Sequence, residues 1–157
     1  MTITHQEARG FQSESNRIEG ITYATEAETA ALMRFLGAER LQISDLVDYV
    51  SIIAPHARLR DEAGIPNIRF GDYIAMTSGP WIREDLKRTI QQANNVQLSP
   101  HEIYMHYQFL LPFTDGNGQS GRALWLWMRG DASRSFLLQF YRDTLLHQDW
   151  RHHNDRN

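Results

Sequence analysis

The feature that most constrains the fold is the glycine-rich segment at residues 111–122, LPFTDGNGQSGR. Pro112 and the glycines at 116, 118 and 121 interrupt a helical spacing of apolar residues. Upstream, Ser99-Pro100-His101-Glu102 supplies an N-cap, a proline at the first helical position and a glutamate at the third, which predicts a helix to about Leu110. The helical spacing resumes over residues 123–128. The segment is therefore predicted to be a loop between two helices.

The rest of the chain predicts further helices and one β-hairpin. Polar and apolar residues alternate over 67–76 around the turn dipeptide Gly71-Asp72, which is typical of a hairpin. The expected fold class is mainly α, a helical bundle with one β-hairpin. Caps, apolar spacing and stops predict four more helices. The first follows a capping box at Thr25-Glu26-Ala27-Glu28 and runs to Leu36, and the second is capped by Ser44-Asp45, runs through Ile53 and is closed by Pro55. The other two cover residues 80–94 and, beyond a stop at Gly130, residues 136–146.

The length of 157 residues suits one ordinary domain, and no internal repeat or low-complexity linker divides the chain. We expect a single domain at residues 15–150. A flexible N-terminus is predicted at residues 1–14 and a polar tail at residues 151–157.

Composition excludes several classes of function. The net charge of −3 gives no broad basic field, so nucleic acid is not expected as a partner. Without cysteine the chain has no disulfide, no thiol nucleophile and no cysteine-rich zinc site. No apolar stretch approaches the roughly 20 residues of a membrane span, and residues 1–15 lack the apolar core of a signal peptide. We expect a cytoplasmic protein with no membrane partner, and a homo-oligomer stays open.

The glycine-rich segment has the residue types of an anion site. Gly116 and Gly118 let backbone N–H groups converge, and the following helix adds its positive end, an arrangement that attracts phosphate. Asp115 at the entrance fits a bridging Mg²⁺, and Arg122 could reach a terminal phosphate or an internal carboxylate. The alternative is an ordinary helix–loop–helix turn in which Asp115 and Asn117 bond their own backbone.

The segment from Leu111 to Arg122 resembles the signature of the Fic domain family, His-Pro-Phe-x-Asp/Glu-Gly-Asn-Gly-Arg-x-x-Arg. The resemblance extends over nearly the whole chain, through residues 15–20, 59–60, 120–125 and 136–145. It implies a mostly helical Fic fold whose hairpin, the flap, docks a segment of a target protein. Active members of the family transfer AMP from ATP to a Ser, Thr or Tyr hydroxyl, and some relatives transfer phosphate or other nucleotidyl groups.

The chain departs from that signature at two positions. Leu111 stands where the family has the histidine that removes the proton of the target hydroxyl, and a general base supplies about 10²–10⁴ in rate. Gln119 replaces an arginine that would balance charge on the leaving pyrophosphate. Both losses fall on the transition state, so the resemblance implies that ATP or another nucleotide still binds, with Mg²⁺ at Asp115. The implied nucleotide-binding residues are Gly116, Asn117, Gly118, Gln119, Gly121 and Arg122.

Ser15-x-x-x-Glu19-Gly20 resembles the inhibitory motif of the family. The resemblance implies that Glu19 pairs with Arg122 and occupies the place of the ATP γ-phosphate, because two anions compete for one guanidinium. The alternative is that Glu19 begins a surface turn before Gly20.

The hairpin is the expected docking flap for a target protein segment, since an exposed strand edge can add a strand from a partner. Natural proteins also have exposed strand edges that bind no partner, and charged side chains on these edges prevent pairing with another chain. The flap residues are Asn67, Ile68, Arg69, Phe70, Tyr73 and Ile74.

No other residue is expected to replace the missing base. His106 lies five residues before Leu111, so on a helix it points roughly 140° away. The histidines at 147, 152 and 153 lie in the polar tail and are interpreted as solvated, and Trp125 and Trp127 as packing residues. The preferred interpretation is a degenerate Fic protein whose AMP transfer is lost or strongly impaired. An active nucleotidyltransferase with altered chemistry and a purely protein-binding module are the alternatives.

Overall fold

The computed structural model describes the backbone of residues 2–155 and the side chains of residues 2–146. Within these residues it contains seven helices and one two-stranded antiparallel hairpin, which confirms the mainly α fold class with one hairpin. The elements are α1 His5–Ile18, α2 Glu26–Leu36, α3 Ile43–Ile53, β1 Arg69–Phe70, β2 Tyr73–Ile74, α4 Pro80–Asn94, α5 Pro100–Leu110, α6 Asn117–Arg129 and α7 Phe136–Asp155.

The predicted flexible N-terminus is instead helical, because α1 covers most of residues 1–14. Thr4 and Glu7 form a capping box, with the Glu7 N–H 3.0 Å from Thr4 Oγ1 and the Thr4 N–H 3.1 Å from Glu7 Oε1. Ala8 and Phe11 pack in the core beside buried polar residues of the same helix. Those polar residues conceal the helical spacing, which is why the sequence did not predict α1.

Three other helix boundaries differ from the prediction. Helix α3 begins at Ile43, because the Asp45 carboxylate accepts from the N–H of Gln42 at 2.8 Å, and the N-cap is therefore Gln42 rather than Ser44. Helix α6 begins at Asn117 instead of 123, and two of the glycines lie inside it. Gly130 ends α6 with φ of 76°, as predicted. The backbone of α7 continues to Asp155, through most of the predicted polar tail, and the side chains of the histidines at 147, 152 and 153 lie outside the described residues.

Helix α6 is the centre of the bundle and contacts α1, α2, α3 and α5. Its buried Trp125 stacks on Phe11 of α1 at 6.3 Å and meets Phe136 of α7 edge-on at 5.0 Å. Aromatic pairs of this kind add about 0.5–1.5 kcal/mol beyond the area they bury. Trp125 is thus a packing residue, and α1 and α7 are fixed against the same face of α6.

Gly121 allows α5 and α6 to approach closely. A Cβ on Gly121 would lie 2.2 Å from Gln108 Nε2 and 3.0 Å from Tyr107 Cδ1, both on α5. We expect Gly121→Ala to lower the free energy of unfolding by about 1–3 kcal/mol in urea denaturation. Gly10→Ala in α1 is the matched control, since a Cβ there meets nothing within 4 Å, and it should raise the value by about 0.5–1 kcal/mol. Similar effects of the two substitutions would contradict the packing role of Gly121.

The hairpin projects from the bundle, with Phe70 77% and Ile74 64% exposed. Arg69 pairs with Ile74 and Phe70 with Tyr73, on either side of the predicted turn at Gly71-Asp72. The Tyr73 hydroxyl donates to the carbonyl of Phe109 at the end of α5, and the two rings meet edge-on. The exposed strands are therefore anchored to the helix that precedes the glycine-rich segment.

The buried guanidinium of Arg60 joins the base of the hairpin to the end of α5. It donates to the carbonyls of Leu110 (2.9 Å) and Leu111 (2.7 Å) and, on the hairpin side, to the carbonyl of Met76 (2.8 Å) and the hydroxyl of Ser78 (3.1 Å). Burial lowers the pKa of Arg60. None of these partners is a carboxylate, so the cation is stabilised by dipoles that include the carbonyl end of a helix.

None of the described helices combines the length and the apolar composition that crossing a membrane requires.

Candidate functional site

The glycine-rich segment leaves α5 through a left-handed residue. Leu111 is the C-cap of α5 with φ of 46° and ψ of 65°, and it is 6% exposed. This conformation is uncommon for leucine, whereas histidine, asparagine and aspartate adopt it several times more often. The backbone at position 111 therefore suits the histidine of the family signature better than the leucine present.

Residues 112–114 are held against residues 58–60 in an extended pairing. The Arg60 N–H donates to the Pro112 carbonyl at 2.8 Å, and the Thr114 N–H donates to the Arg58 carbonyl at 2.9 Å. This pairing fixes the start of the segment on the strand-like stretch that leads to the hairpin.

Asn117 and Asp115 bond the backbone of their own loop. Asn117 Oδ1 accepts from the Phe113 N–H at 2.9 Å, and its Nδ2 donates to the Phe113 carbonyl at 2.7 Å. Asp115 Oδ1 accepts from the N–H of Gly116 at 2.8 Å. These contacts are those of the ordinary-turn alternative, so the side chain of Asn117 shapes the loop and does not face open space.

The three predicted glycines point in different directions. A Cβ on Gly116 would meet Ala54, the C-cap of α3, at 3.2 Å, and Gly121 faces α5, so both allow helix packing. Only Gly118 faces the site, because a Cβ there would lie 2.3 Å from Glu19 Oε1 and 3.1 Å from an Arg122 nitrogen. Of the three glycines, the structure thus brings Gly118 beside Glu19 and Arg122 and leaves Gly116 and Gly121 as packing residues.

Arg122 and Glu19 form the predicted ion pair. Arg122 donates to Glu19 Oε1 at 2.6 Å, to Ser15 Oγ at 2.7 Å and to the Ser15 carbonyl at 3.1 Å. The guanidinium is buried, whereas the Glu19 side chain is 41% exposed. Glu19 is the C-cap of α1, and Gly20, with φ of 80°, turns the chain away after it. The carboxylate therefore lies at the N-terminal turn of α6, where no side chain among the described residues caps the helix.

Gln119 belongs to a buried polar network that the sequence did not predict. Its Nε2 donates to Asn16 Oδ1 at 2.7 Å, Gln12 Nε2 donates to the same oxygen at 2.9 Å, and the Tyr49 hydroxyl donates to Gln12 Oε1 at 2.5 Å. The helical spacing of polar residues at 12, 15, 16 and 19 was the available signal. Gln119 is thus directed toward α1 and not toward a ligand position.

A cavity of about 510 Å³ lies between the hairpin, α4 and α5. Its lining includes Tyr73, Met76, Arg88, His106, Phe109 and Leu110. Leu110, the last residue of α5, is part of the lining, so the hairpin and the C-terminal end of α5 border one cavity. His106 lines this cavity and not the surroundings of Arg122.

A divalent cation has few ligands in this region. No group of three or more histidine, aspartate or glutamate residues with metal-binding proximity occurs in the described part of the chain. Exposed Asp115 is available, and Mg²⁺ commonly binds one carboxylate together with substrate phosphates and water. The residues fit a cation that a phosphate ligand brings with it, and not a permanent metal site.

In comparisons with known proteins, no family model, no curated protein and no solved structure matches this chain.

Proposed function

We propose that the chain is a degenerate Fic-type protein that binds ATP or another nucleotide weakly and docks a protein segment at its hairpin, with AMP transfer lost or strongly impaired. The observation that carries the proposal is that a buried arginine, at the N-terminal end of a central helix, holds a carboxylate of its own chain. A site built for a carboxylate at a helix N-terminus has the charge and the donors to take a phosphate in its place.

The ion pair between Glu19 and Arg122 explains why nucleotide binding would be weak. Glu19 accepts a hydrogen bond from Arg122 Nη2, and its carboxylate lies against Gly118, where a phosphate would approach the first turn of α6. An incoming phosphate must therefore displace a charged hydrogen bond that is already formed.

The chain lacks two groups that AMP transfer requires. Transfer requires the target hydroxyl oxygen to bond the α-phosphorus while the bond to pyrophosphate breaks and a base takes the hydroxyl proton. Leu111 has no side-chain atom that accepts a proton, and Gln119 is neutral and hydrogen-bonded to Asn16.

ATP and Mg²⁺ are abundant in the cytoplasm, and we propose that the protein is located there.

The hairpin supports the docking part of the proposal. Phe70 and Ile74 are exposed apolar side chains on two strands whose outer edges pair with no other strand among the described residues, and the lining of the adjoining cavity includes Met76 and Leu110. An extended peptide could pair with the strand and insert side chains into this cavity.

A second candidate, a module that binds protein but no nucleotide, has its own support. Asn117, Gln119 and Arg122 all bond partners within the chain, so the motif side chains already have the hydrogen bonds they need. In that case Glu19 and Arg122 serve packing alone.

Calorimetry with ATP and Mg²⁺ separates the two candidates. We expect Glu19→Gly to tighten ATP binding about 10- to 100-fold, the value of one charged hydrogen bond together with the removal of like-charge repulsion. Glu39→Gly, which removes one exposed acid elsewhere, should leave the affinity within about twofold of the natural chain. Equal affinities for natural chain and Glu19→Gly would refute competition, and no binding by either would favour the protein-only module.

A further inference from the structure

The C-terminal turns of α1 contact α6 at two positions three residues apart. Ser15 and Glu19 hold Arg122, and Asn16 holds Gln119 one turn earlier on α6. Residues three apart lie on the same face of a helix, so one side of α1 matches one side of α6. The inhibitory carboxylate is therefore the exposed end of a longer contact whose other end is buried.

Asn16 is the most fully bonded side chain of this contact. Its Oδ1 accepts from Gln12 and Gln119, and its Nδ2 donates to the Tyr23 carbonyl at 3.0 Å and to Glu28 Oε2 at 3.4 Å. A side-chain amide has two N–H donors and two acceptor positions, and here all four are used. Asn16 thereby joins α1 to α2 and α6.

Tyr49 extends the contact to α3. Its hydroxyl donates to Gln12, which lies one turn before Asn16 on α1. Burial raises the pKa of Tyr49, so the hydroxyl keeps its proton and remains a donor. The network consequently joins α1 to α3 through Tyr49 and to α6 through Gln119.

Movement of α1 away from α6 would leave these groups unpaired inside the protein. Gln119 and Tyr49 are buried on α6 and α3 and would lose their partners while still shielded from water. Partly satisfied buried networks are costly, whereas fully satisfied ones favour a single arrangement. Since Asn16 lies one turn before Glu19, fixing Asn16 also fixes the inhibitory carboxylate.

We propose that Gln12, Asn16, Tyr49 and Gln119 form a latch that holds α1 against α6 and keeps Glu19 on Arg122. The residue that departs from the arginine of the family signature, Gln119, is a positioning residue of this latch. The inference rests on the proposed function, because the site that the latch closes is the proposed anion site.

Hydrogen–deuterium exchange of the full chain without nucleotide tests the latch. In Gln119→Leu, which removes the donor at similar volume, the amides of α1 should exchange about five- to tenfold faster, as expected for one net buried hydrogen bond. The amides of α5 should be unchanged. Gln108→Leu is the matched control, because Gln108 donates to the Asn117 carbonyl from α5, and it should leave α1 exchange unaltered.

Tyr49→Phe is a second variant, which serves if Gln119→Leu fails to fold. It removes only one oxygen and should accelerate hydrogen exchange in α1 about threefold. Unchanged α1 exchange in the folded variants, or equal acceleration in α1 and α5, would overturn the latch. The readout requires no ligand, so a chain that binds no nucleotide but releases α1 in Gln119→Leu would refute the proposed function and support the latch.

Discussion

The triple variant Leu111→His/Gln119→Arg/Glu19→Gly is expected to transfer AMP to protein hydroxyls at least about 100-fold faster than the natural chain. The histidine restores a general base, which contributes about 10²–10⁴ in rate. In the proposed Fic-type site, the arginine would supply a cation for the leaving pyrophosphate, and the loss of Glu19 would free the Arg122 Nη2 group that donates to it. The measurement is incorporation of label from α-labelled ATP with Mg²⁺ into the variant itself and into lysate proteins.

The backbone conformation at position 111 already suits the substitution Leu111→His. Leu111 already has the left-handed conformation that histidine adopts more readily than leucine, so Leu111→His requires no change in the backbone dihedral angles at this position. Arginine at position 119 is longer than glutamine and charged, and in the latched state it would meet the buried amide of Asn16. It should therefore also loosen α1.

A matched control isolates the base. The same background with Leu111→Asn keeps a left-handed residue of similar size that cannot act as a base, and it should incorporate no more label than the natural chain. Strong labelling by the natural chain would refute the claim that transfer is impaired. A triple variant that binds ATP and transfers nothing would show that the scaffold no longer supports the reaction.

Arg60→Met is expected to lower the free energy of unfolding by about 3–5 kcal/mol, because several acceptors lose their donor and each buried one costs about 1–3 kcal/mol. Methionine fills the volume of the aliphatic part of the side chain but leaves the carbonyls of Leu110, Leu111 and Met76 without their donors. Urea denaturation followed by circular dichroism gives the value. Arg60→Lys should be intermediate, because an ammonium keeps the charge without the planar set of five donors.

Arg83→Met is the control for the loss of an arginine. Arg83 is exposed and makes one ion pair, with Asp61 at 3.0 Å, so its removal should cost about 0–1 kcal/mol. Equal stability losses at positions 60 and 83 would show that the buried position of Arg60 contributes nothing. A loss below about 1 kcal/mol in Arg60→Met would also contradict the stabilising role of the buried guanidinium.

The predictable parts of the fold are those encoded by neighbouring residues. Ser99 Oγ accepts from the Glu102 N–H at 3.1 Å, and Thr25 does the same for Glu28, so both helix starts follow from residues three apart. The hairpin turn at Gly71-Asp72 was likewise visible in a short stretch of sequence.

The parts that escaped prediction depend on distant partners. The polar face of α1 is buried only because Gln119 and Arg122, more than a hundred residues later, bond Asn16 and Ser15. The helical start of α6 was obscured by Gly121, whose missing Cβ makes sense only once Tyr107 of α5 lies against it. The Glu19–Arg122 pair came from the family resemblance, since spacing alone cannot join residues so far apart.

The covalent connection between Glu19 and the rest of the bundle determines what can release it. Residues 20–25 link the end of α1 to α2, so a carboxylate that leaves Arg122 remains tethered to the bundle by only a few residues. A short flexible tether presents its group at an effective concentration on the order of millimolar. Diluting the protein therefore does not remove Glu19 from the guanidinium, and the exchange of one anion for another depends on the concentration of the competing anion and not on that of the protein.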